Sequence, residues 1–165
     1  MNYYDCHWDS SVWLRSLGVM GLLAAIYAFL VWSRHGRTDM LAWGAVLLLP
    51  LLVALAFAPR GYEVTDRTLT VRMVACLARY NLADLRRAEI ATPGEAFGFP
   101  TLRMFGVGGL FGYCGRFKNA RLGSFVAFVT DKQKLVVLRF STKTLVVSPD
   151  LPADFVQRVG AAARG

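Results

Sequence analysis

Histidine is almost missing from this 165-residue chain: there are two, His7 and His35, and neither lies beyond residue 59. General acid–base chemistry in residues 60–165 therefore lacks its commonest participant. No Asp/Glu cluster takes its place, and no serine or cysteine has an evident base beside it. Cysteine is scarce as well. Cys6, Cys76 and Cys114 are odd in number and widely spaced, and Cys6 adjoins His7 too closely to form the usual spaced ligand pair. Free thiols in a reducing compartment follow, with no metal and no cofactor expected. Cys114 has Arg103, Arg116 and Lys118 near it in sequence, which would lower its pKa if they converged in space. A quiet, packed thiol is the preferred reading. A phosphate loop is missing too: the glycines after Gly106 meet neither the dinucleotide spacing nor the Gly-Lys-Ser/Thr ending. These absences predict a protein that is not an enzyme.

Charge is also short at the start of the chain. Residues 1–59 hold three basic and three acidic residues and are neutral, so the whole net charge of +8 lies in residues 60–165. A basic surface of that kind keeps a domain soluble or meets an acidic partner such as anionic lipid headgroups. Nucleic acid is not the expected partner, because the aromatics sit among glycines and alternating apolar positions, as core residues do, and form no stacking platform.

What the first part does have is apolar length. Residues 16–33 and 40–58 are uncharged runs of 18 and 19 residues, long enough as helices to cross a bilayer core. Residues 34–39 link them so briefly that an antiparallel hairpin is predicted, with both of its ends on one side. Trp8, Trp13, Trp32 and Trp43 fall at the boundaries, where indole rings prefer the headgroup layer. Asp5 and Asp9, with Arg15 the sole basic side chain before the first run, make a poor signal-peptide leader, so no cleavage is expected. Arg15, Arg60, Arg67, Arg72 and Arg79 flank the outer ends against Arg34 and Arg37 in the link. The positive-inside rule then puts both termini and the following domain in the cytoplasm, on a multi-pass protein of the inner membrane. Gly21/Ala25, Ala24/Ala28 and Ala54/Ala58 permit close helix contact, whether within the hairpin, with another copy or with another protein.

After Pro59 the pattern changes to alternation. Leu69, Val71 and Met73 are apolar between Thr68, Thr70 and Arg72, which reads as a half-buried strand joined by a turn at residues 65–67 to a short strand at 62–64. Tyr80 and Leu82 suggest a third strand, residues 83–86 a helical turn, and residues 88–91 a fourth strand. Residues 122–130, 135–140 and 144–147 are three β-rich runs with short links, predicting consecutive antiparallel strands. Asp150 is placed to cap a helix with Pro152 in its first turn, and Phe155, Val159 and Ala162 share one face. The prediction is two units: a transmembrane hairpin over residues 1–59, and over 60–165 a mainly-β barrel of about seven antiparallel strands closed by a C-terminal helix.

Residues 103–123 are the least ordinary stretch, six glycines interspersed with four aromatic and four basic residues. Either the glycines allow sharp bends while the aromatics fill a core, or exposed Phe105, Phe111 or Tyr113 dips into the membrane interface while Arg116, Lys118 and Arg121 meet headgroups. Arg103, Phe111, Tyr113, Arg116, Lys118 and Arg121 are the candidate contacts for lipid or a partner.

The run Arg103-x-Phe105-Gly106-x-Gly108-Gly109-Leu110-Phe111-Gly112-Tyr113-x-Gly115-x-Phe117-x-Asn119, with Leu122-Gly123 and then Val146-Val147-Ser148-Pro149, resembles the bacterial pleckstrin-homology-like domains over residues 62–160. Several members of that family also place a pair of membrane helices before the domain. The resemblance implies a PH-type barrel and a docking module for lipids or proteins, without supplying a ligand. Phosphoinositide recognition does not carry over, because the first turn offers only Arg67 and Arg72. The function expected is a membrane-anchored, non-catalytic interaction module that docks a membrane protein or a second copy. Direct binding of anionic lipid headgroups is the alternative.

Overall fold

The structure is a computed structural model that describes residues 2–7, 10–33 and 40–164. A short strand, β1 (Asn2–Asp5), precedes two helices, α1 (Ser10–Ser33) and α2 (Met40–Ala56). The strands β2 (Pro59–Val64), β3 (Thr68–Met73) and β4 (Leu77–Asn81) follow. After a 3-10 turn over Leu82–Asp84 come β5 (Leu85–Ala91) and the four-residue helix α3 (Pro93–Ala96). Then β6 (Leu102–Gly108), β7 (Tyr113–Asn119), β8 (Gly123–Val129), β9 (Leu135–Phe140) and β10 (Thr144–Val147) lead to α4 (Pro152–Ala162).

The helical part differs from the two equal spans expected. α1 begins six residues earlier than residue 16, at Ser10, and its Val12–Ser33 stretch is long and apolar enough to cross a membrane. α2 is shorter. It ends at Ala56 because Phe57 and Ala58 turn the chain into β2, and its apolar stretch is Gly44–Ala56. Leu14, Leu17, Leu22 and Phe29 of α1 and Leu48, Leu49 and Leu52 of α2 are exposed, an apolar surface that none of the other described residues covers. The two helices approach closely at Gly44, where an added Cβ would lie 3.4 Å from the Tyr27 ring. Ala24 faces the groove between them, while Gly21 has open space before it. The link at residues 34–39 and Trp8 lie outside the described residues, as does the side chain of Trp43. Trp13 and Trp32 are exposed near the two ends of α1.

The expected closed barrel of seven antiparallel strands gives way to ten strands in two sheets among the described residues, ordered β1-β2-β3-β4 and β5-β9-β10-β8-β7-β6. Nor are the last three strands consecutive neighbours. β10 enters between β9 and β8, antiparallel to the first and parallel to the second. The reason is burial. Residues 135–138 and 145–147 are buried on both faces, so these strands belong in the interior of a sheet and not at its margin. The Ser148 hydroxyl then accepts hydrogen bonds from the Thr130 and Asp131 amides, at 2.9 and 3.3 Å, and ties the end of β10 to the end of β8.

The main core lies between the sheets and under α4. Tyr62, Leu69, Val71, Val136, Leu138, Leu145 and Val147 meet Phe155 and Val159 there. The buried Tyr62 hydroxyl donates to the Phe128 carbonyl at 2.5 Å and accepts from the Ser148 amide at 3.0 Å, so its burial leaves no orphaned group. A second cluster on the outer face of the larger sheet stacks Phe117 on Phe125, with Phe97 edge-on to both.

β1 had no counterpart in the sequence reading. It pairs with β2 from Asn2 opposite Val64 to Asp5 opposite Gly61, so a strand from before the helices completes the smaller sheet. Tyr4 packs edge-on to Phe155, and its hydroxyl donates to Asp154 at 2.6 Å. Asp150 does not cap α4: Leu151 is the N-cap and makes no side-chain cap bond. Instead the Asp150 carboxylate takes hydrogen bonds from Lys134, at 2.9 Å, and His7, while its amide donates to the Asp5 carbonyl. Partial burial pushes this carboxyl up, but the bonds from Lys134 and His7 outweigh burial and hold it below its ordinary 3.8. A depressed carboxyl contributes stability above its unfolded value and loses it as pH falls through its folded one. Asp150→Asn should therefore weaken protection of the β1 amides at pH 7. Its effect should shrink toward wild type below about pH 3, as read by hydrogen exchange.

Candidate membrane-proximal docking site

The unusual glycine-aromatic stretch is a β-hairpin. β6 and β7 pair antiparallel, with Leu102 opposite Lys118, Phe105 opposite Arg116 and Gly106 opposite Gly115. That last pair explains two of the glycines. Gly106 has φ +113°, and a Cβ there would lie 2.6 Å from the Gly115 Cα; Gly115 has φ +149° and faces the Phe105 backbone just as closely. The backbones approach in a space that admits no side chain.

The tip of this hairpin is seated on the helices. Phe111, at φ +55° and only 8% exposed, places its ring against Ala54 and Ala58 near the end of α2, with Leu51, Leu55 and Leu110 around it. The two small residues expected to admit another helix thus admit an aromatic ring from the same chain. The Phe111 amide donates to the Ser16 hydroxyl at 3.1 Å, and that hydroxyl donates to the Val12 carbonyl one turn back in α1. Arg15 donates to the Tyr113 hydroxyl at 2.6 Å. Tyr113 is half-buried beside Phe97, with the Lys132 ammonium 4.2 Å above its ring. The β3–β4 turn joins the same junction: the Val74 and Ala75 amides donate to the Ala58 and Ala56 carbonyls.

The six candidate contact residues therefore separate. Phe111 is used inside the chain, and Tyr113 largely so. Arg103, Arg116, Lys118 and Arg121 are exposed. With them on the surface stand Phe105, 81% exposed, and three apolar residues that the candidate set lacked, Phe99, Leu102 and Met104. Their signal in the sequence was weak, since apolar residues at alternating positions look the same whether a sheet covers them or not. Among the described residues β6 is the last strand of its sheet, and no described strand lies beside its outer backbone groups. Beside this open edge, Leu102 has Lys118 across from it and Phe105 has Arg116, so apolar and basic side chains alternate over two strands.

Cys114 is not the activated thiol that nearby cations would make. It is buried on β7, and burial, then the neighbouring Cys76, pushes its thiol up to about 12. Cys6 is likewise raised to about 12 by burial. Among the described residues, no three His, Cys, Asp or Glu side chains are grouped to hold a metal.

The family described as bacterial PH domain matches residues 60–162, most of the chain beyond the helices. No curated protein matches the chain. No solved structure matches it either.

Proposed function

This chain belongs to the bacterial PH domain family, whose members are in general non-catalytic interaction modules, and on that footing we propose that it is a membrane-anchored module that docks a protein partner along the open edge of β6. The observation that carries this reading is the combination of a strand edge left unpaired among the described residues with exposed Leu102, Met104 and Phe105 along it and exposed Phe99 just before it. An extended segment of a partner adding there would satisfy the free backbone groups and cover the apolar side chains together. The anchoring favours such weak pairing, because a partner in the same membrane meets the domain at high effective concentration.

The pairing of β1 with β2 supports a two-span anchor. The strand before α1 and the strand after α2 lie in one sheet, which favours placing the start of α1 and the end of α2 on one side of a membrane. On that reading, a chain that crosses in α1 returns in α2. The basic flanks, Arg15 and Arg60 to Arg79 against Arg34 and Arg37, favour the cytoplasm for that side. The second reading, anionic headgroups as the ligand, is favoured by the alternation of Leu102 and Phe105 with Lys118 and Arg116 and by exposed Arg121.

A photo-crosslinking residue at position 105 of the full chain, activated in native membranes, separates the two. Discrete protein adducts are expected, absent when the probe sits at exposed Gln157 on α4. Adducts to lipid alone would overturn protein docking in favour of the headgroup reading.

A further inference from the structure

Three sulfur atoms from two distant segments of the chain meet where the two sheets join. Met73 ends β3, Cys76 lies in the turn that follows, and Cys114 is the second residue of β7 in the other sheet. The Met73 sulfur is 3.7 Å from the Cys76 sulfur and 3.9 Å from that of Cys114. Met73 and Cys114 are buried, while Cys76, in the turn, is half-buried.

These spacings suit a metal as well as they suit packing. With metal–sulfur bonds of about 2.3 Å, three sulfurs around a trigonal centre lie about 4.0 Å from one another, close to the two separations seen. Two thiols and a thioether form an all-sulfur, soft set, which selects a soft monovalent ion over the harder divalent ones. Zinc would ask for a fourth ligand in a tetrahedral arrangement and for nitrogen or thiolate donors. The site also has a partly exposed ligand in Cys76 and a fixed frame. The Met73 amide donates to the Cys76 carbonyl at 3.0 Å and closes the turn, and the β7–β8 pairing holds Cys114.

We infer that Met73, Cys76 and Cys114 bind one copper(I) ion, stapling the smaller sheet to the larger at the junction with α2. The ion enters as copper(I) and leaves as copper(I), the two thiols pass their protons to solvent, and no redox step occurs. Cys6 takes no part: it follows β1 and is placed near Thr130. The inference is independent of what docks at β6.

The test is a titration of the full chain, solubilised in detergent, reduced and kept anaerobic, with copper(I) in competition with bicinchoninate. The wild-type chain should withhold one equivalent per chain from the chelator and melt at a higher temperature with it. Cys6→Ala should behave in the same way. The Cys76→Ser/Cys114→Ser double variant should withhold none. Met73→Leu keeps the volume and loses the sulfur, so it should fold and hold copper at least about tenfold more weakly. Full release of copper by the wild-type chain, or retention of the equivalent by the double variant, would overturn the inference. So would equally tight retention by Met73→Leu, or displacement of the copper by equimolar zinc.

Discussion

Gly115→Ala should lower the stability of the solubilised chain by about 4 kcal/mol, the sum of a strained backbone and forced overpacking. The new Cβ would enter the space of the Phe105 carbonyl and lie 2.7 Å from the Gly106 Cα. Both are backbone and neither can turn aside, so the two strands must separate. The matching change at an unobstructed glycine gives the contrast. Gly160 lies within α4 with nothing within 4 Å of an added Cβ. Gly160→Ala should therefore raise stability by about 0.5–1 kcal/mol, the helix preference of alanine over glycine. Thermal melting of the two variants beside wild type checks both signs. A Gly115→Ala chain that melts with wild type would mean that the close approach of β6 and β7 is not a feature of the folded protein. On the proposed reading, partner docking should be lost with stability here, since opening this hairpin dissolves the β6 edge.

Phe111→Ala should cost about 3 kcal/mol, but its signature is local. The ring fills the seat formed by Ala54 and Ala58, and the amide holds Ser16, so its loss frees the hairpin tip from both helices while β9 and β10 keep their buried pairing. Hydrogen exchange should show the Leu110–Gly112 amides losing protection, with those of 135–138 unchanged. Phe111→Gly separates packing from backbone. A glycine accepts φ +55° freely, so it should be more stable than the alanine variant by roughly 1 kcal/mol, although it has the smaller side chain. If Phe111→Ala left the tip as protected as in wild type, the domain would not be docked on its anchor through this ring.

The coupling matters for how the module works. The hairpin that presents the open edge at β6 is the one whose tip rests on α1 and α2, and the β3–β4 turn touches the same helix end. The edge is therefore held at a set position relative to α1 and α2; on the proposed reading, a partner's own spans would bring a complementary strand within reach there.

Several parts of this molecule were legible along the chain. The apolar run that becomes α1, the alternation of β3, the three apolar runs of β8, β9 and β10 and the one-sided pattern of α4 all depend on side-chain spacing within a few residues. The resemblance carried by residues 103–123 named the family. What lies beyond local spacing was settled only in three dimensions. β1 is Asn-Tyr-Tyr-Asp, with no apolar alternation, and becomes a strand because β2, more than fifty residues away, supplies its backbone partners. Residues 144–147 read as a strand, but only the competition for the buried centre of the sheet made it the parallel neighbour of β8. Asp150 looked like a helix cap and became the clasp for His7 and Lys134, because a short polar side chain serves whichever donor the fold brings nearest. The glycines of 106–115 signalled a bend or a close approach; which backbone they approach, and that Phe111 turns inward while Phe105 stays out, depended on where α2 ends. By itself the sequence determined an apolar helix long enough to cross a membrane, seven of the ten strands among the described residues, and the family. Tertiary packing decided which edge was left open and which three sulfurs meet, because both depend on pairings between distant segments that no local pattern encodes.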